Sequence, residues 1–325
     1  MTQHVLVLGA NGFIGRRVVA RLSQDDAVIV TAAGRTAVRT DPAAKIRTQV
    51  LDATDEVAMR SALTGVTGVV NCIAGDPHTI VSSAKSLFAA AAQIRPAPRI
   101  VHLSSLAAYG SIDGTVDETV PPRGDLGPYS AAKLLTEKLA ADHEAVITLR
   151  PGIVYGPRSP WWSDRIARLL RARRLGDLGA AGDGLCNLVY VDDVATAAAR
   201  ALFTPGIEGR IFNLGIASVP SWNDYFSRYA QELGALPVRR VSRLRLAMEQ
   251  NCFAPPLKLL ELAGRLGIAR RISPPPPIRP WLLQLCRHRI GMVVTRAEQA
   301  LGMQWTTLDA GLKITADWFL AGAKY

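Results

Sequence analysis

Long apolar runs are missing from this 325-residue chain: none approaches the ~18 residues a membrane-spanning helix needs, which excludes a polytopic membrane protein. Cysteine is scarce. Cys72, Cys186, Cys252 and Cys286 lie far apart without metal-ligand spacing, so neither a disulfide scaffold nor a metal site is expected, and the thiols suit a reducing cytosol. The start enters "HVLVLGA" without a basic region or a cleavage site, so no signal peptide and a cytoplasmic location are expected. Acids are outnumbered, 27 against 38 Lys and Arg, for a net charge of +11. The excess is local: between Pro237 and Ile290 eleven Arg or Lys face two acids. A solvated Arg-rich face is the expectation there, with weak peripheral contact to an anionic membrane or ligand as the alternative. No zinc-finger or RNP-like pattern accompanies the charge, so a nucleic-acid partner is not expected.

With 49% hydrophobic and 20% charged residues the chain is globular, and its length suggests about two domains. The first 150 residues alternate short β-branched runs ("HVLVLGA", "AVIVTAAGR", "KIRTQVLDA", "GVVNCIAG", "RIVHLSS") with helical stretches such as "GRRVVARLSQ" and "SAKSLFAAAAQI". Strands separated by helices pair in parallel through right-handed crossovers, which predicts an α/β fold with a doubly wound parallel sheet. "ITLRPGIVYGP", "NLVYVDDVATAAARAL" and "RIFNLG" read as later pieces of that sheet. The expected division is a doubly wound sheet domain over 1–157 plus 188–216. A smaller, mostly helical substrate lobe is expected over 158–187 plus 217–325. "RISPPPPIRP" is a proline-rich breaker that cannot continue a helix.

"VLVLGANGFIG" sets Gly9, Gly12 and Gly15 directly after a strand and at the opening of a helix, with Asn11, Phe13 and Ile14 between them. Glycines let the backbone turn tightly and approach a pyrophosphate, which then meets the helix N-terminus. About 20 residues on, where a carboxylate would bond the 2′-OH of NAD, the chain has Gly34 followed by Arg35. A guanidinium pairs with a 2′-phosphate, so NADP(H) is the expected cofactor, with NAD(H) as the alternative.

In "PYSAAKLLTEKL" Tyr129 and Lys133 stand four apart, on one face of an alanine-rich helix. That spacing alone fits a catalytic pair or an ordinary aromatic and lysine. Together with "LDATD", "NCIAG", "VHLSSLAAYG", "LRPGIVYGP" and "VYVDDVA", all in order, it resembles the extended short-chain dehydrogenase/reductase family, also called the NAD-dependent epimerase/dehydratase family. The similarity covers most of residues 4 to 216, with a looser match at "TRAEQALGMQWTTLDAGLKITADWF". It implies Ser105, Tyr129 and Lys133 as the catalytic set, with Ser104 structural. It also implies Asp52 and Ala53 near the adenine, Ile73 and Ala74 passing the cofactor ribose, and Pro151 to Ile153 flanking the nicotinamide. Lys133 is implied to bind the ribose as well.

A phenol with its pKa near ~10 is a poor base at neutral pH, so a nearby ammonium, together with the positive nicotinamide of the oxidised complex, is expected to lower it. Tyr129 would then exchange a proton with the substrate oxygen while Ser105 steadies the charge developing there. Departures from the resemblance narrow the substrate. The run after Ser105 is Leu106, Ala107 and Ala108, where dehydratases of the family carry an acid pair, so dehydration is not expected. Ile153 replaces a phosphate-binding Asn, and Cys186 beside Asn187 replaces an Arg, of the sugar-nucleotide epimerases. The expectation is therefore an NADP(H)-dependent oxidoreductase interconverting a secondary alcohol and a ketone or aldehyde on an apolar or mixed substrate, with Trp161 and Trp162 offered to its pocket. The alternatives are a nucleotide-sugar epimerase using Arg165, Arg168 or the basic tail, and a non-catalytic NADP(H)-binding sensor or assembly factor. The family resemblance also implies a homodimer through the helix that begins near Tyr129.

Overall fold

In the computed structural model, which describes residues 2–39, 46–242, 245, 248 and 278–322, the apolar runs are buried strands. The order begins β1 (Gln3–Leu8), α1 (Phe13–Leu22), β2 (Val28–Gly34), β3 (Ile46–Val50), α2 (Glu56–Ala62), β4 (Gly68–Asn71), α3 (Pro77–Ala92) and β5 (Arg99–Leu103). It continues through β6 (Gly114–Val116), α4 (Pro128–Ala141), β7 (Val146–Pro151), β8 (Ile153–Tyr155), α5 (Arg165–Arg171), β9 (Leu188–Tyr190), α6 (Val191–Phe203), β10 (Ile211–Leu214) and α7 (Trp222–Glu232). After the basic segment come α8 (Pro280–Leu285), β11 (Ile290–Met292), α9 (Thr295–Leu301) and α10 (Leu308–Leu320).

Seven strands form one parallel sheet in the order β10-β7-β5-β4-β1-β2-β3. The period-two alternation of a strand sends Val5 and Val7 to one face and Leu6 and Leu8 to the other. On the first face they join Val18, Val19 and Leu22 of α1 and the alanines of α6. On the second they join Met59 of α2 and Leu87 and Phe88 of α3. Covered on both sides, β4 and β7 are buried at every residue, while the edge strand β3 is open and polar. This is the doubly wound Rossmann architecture. β1 lies between β2 and β4, so the winding reverses there, and a crevice opens at the carboxyl ends of those strands.

The described residues fall into two compact units, one within Met1–Val154, Val189–Ala217 and Met292–Trp305, the other within Tyr155–Leu188, Ser218–Gly291 and Thr306–Tyr325. Met292–Trp305 packs with the sheet unit, whereas the expected division gave those residues to the lobe. Val293 N–H donates to the Val116 carbonyl (2.8 Å), Asn213 Nδ2 donates to the Val293 carbonyl (3.1 Å), and Ala297, Leu301 and Met303 are buried in the first core. In the second unit Ser221 and Asp224 cap α7 reciprocally, and Trp222, Tyr225, Phe226 and Tyr229 form its fully buried stripe. Most of the basic 237–290 segment, with its suggested membrane contact, lies outside the described residues. Among those described, no helix is long and apolar enough to cross a membrane.

Candidate active site

The glycine loop leaves β1 at its carboxyl end. Gly9 takes φ +73°, the left-handed region, and a Cβ there would stand 3.1 Å from the Cys72 carbonyl at the end of β4. A Cβ on Gly15 would overlap the Gly9 carbonyl oxygen. Gly12 caps α1 without a side-chain acceptor, which leaves first-turn N–H groups to an outside anion. A cradle that side chains would fill, open at a helix N-terminus, fits the pyrophosphate of a dinucleotide. Asn11 Nδ2 donates to the Thr36 carbonyl (3.1 Å) and hydroxyl (3.2 Å), tying the loop to the turn after β2, while Phe13 and Ile14 are half-buried.

The other sequence-marked positions follow the carboxyl ends of the neighbouring strands. Arg35 is exposed just past β2. Asp52 follows β3; bonds from the Thr54 N–H and hydroxyl hold its carboxyl below the usual range, with the Arg35 charge assisting. Half-buried Ala53 adjoins it. After β4 the Ile73 N–H donates to Asn71 Oδ1 (3.1 Å), and Ala74 is exposed. Pro151 ends β7, and Ile153, two residues on, is buried.

Ser105 follows β5, opening a short 3₁₀ turn over Leu106–Tyr109, where its Oγ accepts from the Ala107 N–H (3.1 Å). α4 starts at Pro128, pre-set for a first helical position, after Gly127 at φ +98°. Its Ser130 hydroxyl donates to the Ala107 carbonyl (2.6 Å), so the helix and the turn that carry Tyr129 and Ser105 are pinned together. The Ser105 hydroxyl stands near enough to the Tyr129 phenol to favour its ionised form. Tyr129 remains 41% exposed, yet packing around its phenol raises the pKa above 10, and the nearby Ser105 hydroxyl opposes that rise.

Lys133 is buried one turn further along the same face, its Nζ 6.0 Å from the Tyr129 ring centroid and donating to the Leu103 carbonyl (2.8 Å). Burial pulls its pKa down to about 8, and Glu137 and Cys72 oppose the fall. The ammonium donates to a backbone carbonyl, and burial is the largest influence on the Tyr129 phenol.

Beneath the three lies a polar layer that sequence reasoning missed. Arg150 on β7 clasps Glu137 on α4 with two bonds, Nε to Oε1 at 2.9 Å and Nη2 to Oε2 at 2.6 Å. The Ser104 hydroxyl donates to the same Oε1, and the Arg150 guanidinium lies 4.6 Å from the Tyr109 ring centroid. Asn71 Nδ2 donates to His102 Nδ1 (3.2 Å), which leaves Nε2–H to the Thr136 hydroxyl (3.0 Å). Burial, helped by the Lys133 charge, drops the His102 pKa to about 3. Glu137 was visible only as the next residue at helical spacing after Lys133.

In the second unit Cys186 is fully buried, and the Asn187 amide donates to the Ile290 carbonyl (2.7 Å). Arg168 pairs with Asp164 (2.9 Å), and buried Arg165 stacks on Trp161. Trp162 packs on Trp222 at 5.8 Å, while Trp161 is exposed.

Residues 5–215 match the sequence model of the NAD dependent epimerase/dehydratase family. No curated protein matches the chain in sequence. Among solved structures, UDP-glucuronic acid 4-epimerase from Bacillus cereus, in complex with UDP-glucuronic acid and NAD, aligns at TM-score 0.73 and 20% identity, over 98% of this chain and 99% of that one. UDP-glucose 4-epimerase from Thermotoga maritima, with UDP-glucose, aligns at 0.72 and 19%, over 99% and 100%. dTDP-glucose 4,6-dehydratase from Bacillus anthracis, in complex with NAD, aligns at 0.75 and 16%, over 99% and 98%. At these identities the likeness establishes a shared fold.

Proposed function

The chain belongs to the NAD dependent epimerase/dehydratase family, and from that premise we propose that it interconverts a secondary alcohol and a ketone, with Tyr129 exchanging the proton on the substrate oxygen. The observation that carries this reading is the bond from the Ser130 hydroxyl to the Ala107 carbonyl (2.6 Å), which pins the helix bearing Tyr129 and Lys133 to the turn that Ser105 opens at the carboxyl end of β5. A bound nicotinamide dinucleotide would supply the hydride acceptor and donor. The glycine loop and the α1 N-terminus would hold its pyrophosphate, with Asp52, Ala53, Ile73 and Ala74 along its length. With its pKa raised, Tyr129 is a phenol at neutral pH, ready to give a proton to a ketone oxygen. Ser105, near that phenol, would share the same oxygen.

Between substrate classes, the comparisons favour a nucleotide-sugar 4-epimerase over the net oxidoreductase expected from sequence: whole-length neighbours include 4-epimerases solved with UDP-sugars. The net ketone–alcohol oxidoreductase stays as a second reading on one observation. Ile153 is a buried hydrocarbon and Cys186 a buried thiol, neither offering a charge to a diphosphate. Leu106, Ala107 and Ala108, forming the turn after Ser105, carry no acid for dehydration. Arg35 supports NADP(H), although the neighbours named above with a cofactor hold NAD.

The test is to incubate the protein with UDP- and dTDP-sugars, resolving epimers by anion exchange, and in parallel to follow NADPH and NADH oxidation with a ketone panel. Epimer formation supports the first reading; cofactor consumption with ketones alone supports the second. Tyr129→Phe should lower kcat on the order of 10²- to 10⁴-fold while dinucleotide binding persists. Turnover unchanged by that substitution would remove Tyr129 from the mechanism, and no turnover of any substrate by the parent protein would favour a non-catalytic binder.

A further inference from the structure

Two ionised side chains with almost no solvent contact lie directly under this site, Arg150 at 2% and Glu137 at 6% side-chain exposure. Burying such a pair costs desolvation that geometry must offset, and a hydrophobic pair of similar volume serves stability as well or better. The pair is tied on both sides to the reacting groups. Ser104, bonded to Glu137 Oε1, is the residue before Ser105, and its own N–H is fixed by the Leu149 carbonyl on β7 (2.8 Å). Tyr109, stacked on Arg150, ends the turn that Ser105 begins. Glu137 itself is one helical turn beyond Lys133, on the buried face of α4.

We propose that Glu137, clasped by Arg150, is a positioning residue for the site: its carboxylate anchors the Ser104–Ser105 turn and sets a counter-charge beside Lys133. The inference rests on the hydride-transfer reading above. The groups facing Lys133 are Cys72 after β4, His102 on β5, and Tyr129 and Glu137 on α4, with Arg150 of β7 behind Glu137. Burial lifts the Cys72 thiol to about 12 and drops His102 to about 3, so both are neutral near pH 7. Glu137, the acid of a bidentate ion pair, is left as the negative charge that opposes the desolvation of the ammonium. Without it Lys133 gives up its proton at lower pH, and the cation that the site presents to a cofactor hydroxyl is lost within the neutral range.

The test follows Lys133 directly, by ¹H–¹³C NMR of protein labelled at the lysine Cε, with Lys133→Met assigning its resonance. Glu137→Gln strands Arg150 as a buried unpaired cation, so Glu137→Gln/Arg150→Met is measured beside it. In the double variant the Lys133 titration midpoint should fall below that of the parent, and the limb of the kcat/KM profile that follows Lys133 should move with it. Glu137→Asp, which keeps the charge, should return both toward the parent. Ser104→Ala, which spares the ion pair, should leave the midpoint in place and lower kcat about tenfold at unchanged KM. A structural role alone would change stability and move neither the midpoint nor the kcat–KM split. An unchanged midpoint in the folded double variant overturns the proposal, as does Ser104→Ala with parental kcat; if the Glu137 variants do not fold, Ser104→Ala decides. Absence of turnover in the parent protein sinks the functional reading while the NMR titration still judges Glu137.

Discussion

Replacing Lys133 with methionine should make stability respond to pH in one window. The ammonium is 2% exposed, and burial takes its pKa from the ordinary 10.5 to about 8. A displacement of that size corresponds to about 3 kcal/mol. The group is depressed in the folded state, so below about pH 8 both folded and unfolded chains hold the proton and the full penalty applies. Between about 8 and 10.5 the unfolded chain keeps a proton that the folded chain has released, and stability therefore rises with pH. Methionine removes that titration, and its loss of the bond to the Leu103 carbonyl is a constant offset. Urea unfolding of the cofactor-free parent and Lys133→Met at steps from about pH 7 to pH 10.5 should show the parent gaining about 3 kcal/mol on the variant. A difference flat across that range would mean that Lys133 keeps an ordinary pKa, and the account of the buried layer would fail with it.

The remaining predictions concern the loop, the cofactor and the surface. Arg35→Ala should weaken NADPH binding about fivefold, the value of one exposed ion pair, and leave NADH binding unchanged, read by nucleotide fluorescence; equal effects on both would count against a 2′-phosphate contact. Gly15→Ala forces a methyl against the Gly9 carbonyl and should destabilise by about 1–3 kcal/mol in thermal melts while weakening dinucleotide binding. Parental behaviour in both assays would show that the loop has room to yield. Asp309→Asn breaks the exposed Arg228 pair (2.9 Å) and should change stability by less than about 1 kcal/mol, in contrast to any change at Glu137.

The sheet was legible because its strands are covered on both faces and so read as unbroken apolar runs: "VLVL", "GVVN" and "IVHL" need no tertiary knowledge to find. The glycine loop was legible for a related reason, since its backbone conformation and close packing exclude side chains. Met292–Trp305 escaped because "TRAEQALG" has the same amphipathic pattern whichever unit it covers, and only the bonds of Val293 and Asn213 place it in the sheet unit. Arg150 and Glu137 escaped because charged residues on a strand and a helix read as solvated until their burial is known.

The same limit bears on Tyr129. Residue types at helical spacing suggest a cation acting on a phenol, but that effect depends on direction and distance, and Lys133 points its ammonium at a backbone carbonyl. Burial then acts on both groups in the sense that removes charge, raising the phenol and lowering the amine. Left so, the pair would favour a protonated tyrosine, which suits reduction of a ketone and hinders oxidation of an alcohol. A reaction that runs through both directions, as epimerisation must, needs something to hold positive charge beside the site, and the carboxylate of Glu137 beneath Lys133 is placed to do that. The buried ion pair therefore bears most on the oxidative half of either reaction: its loss should slow alcohol oxidation more than ketone reduction.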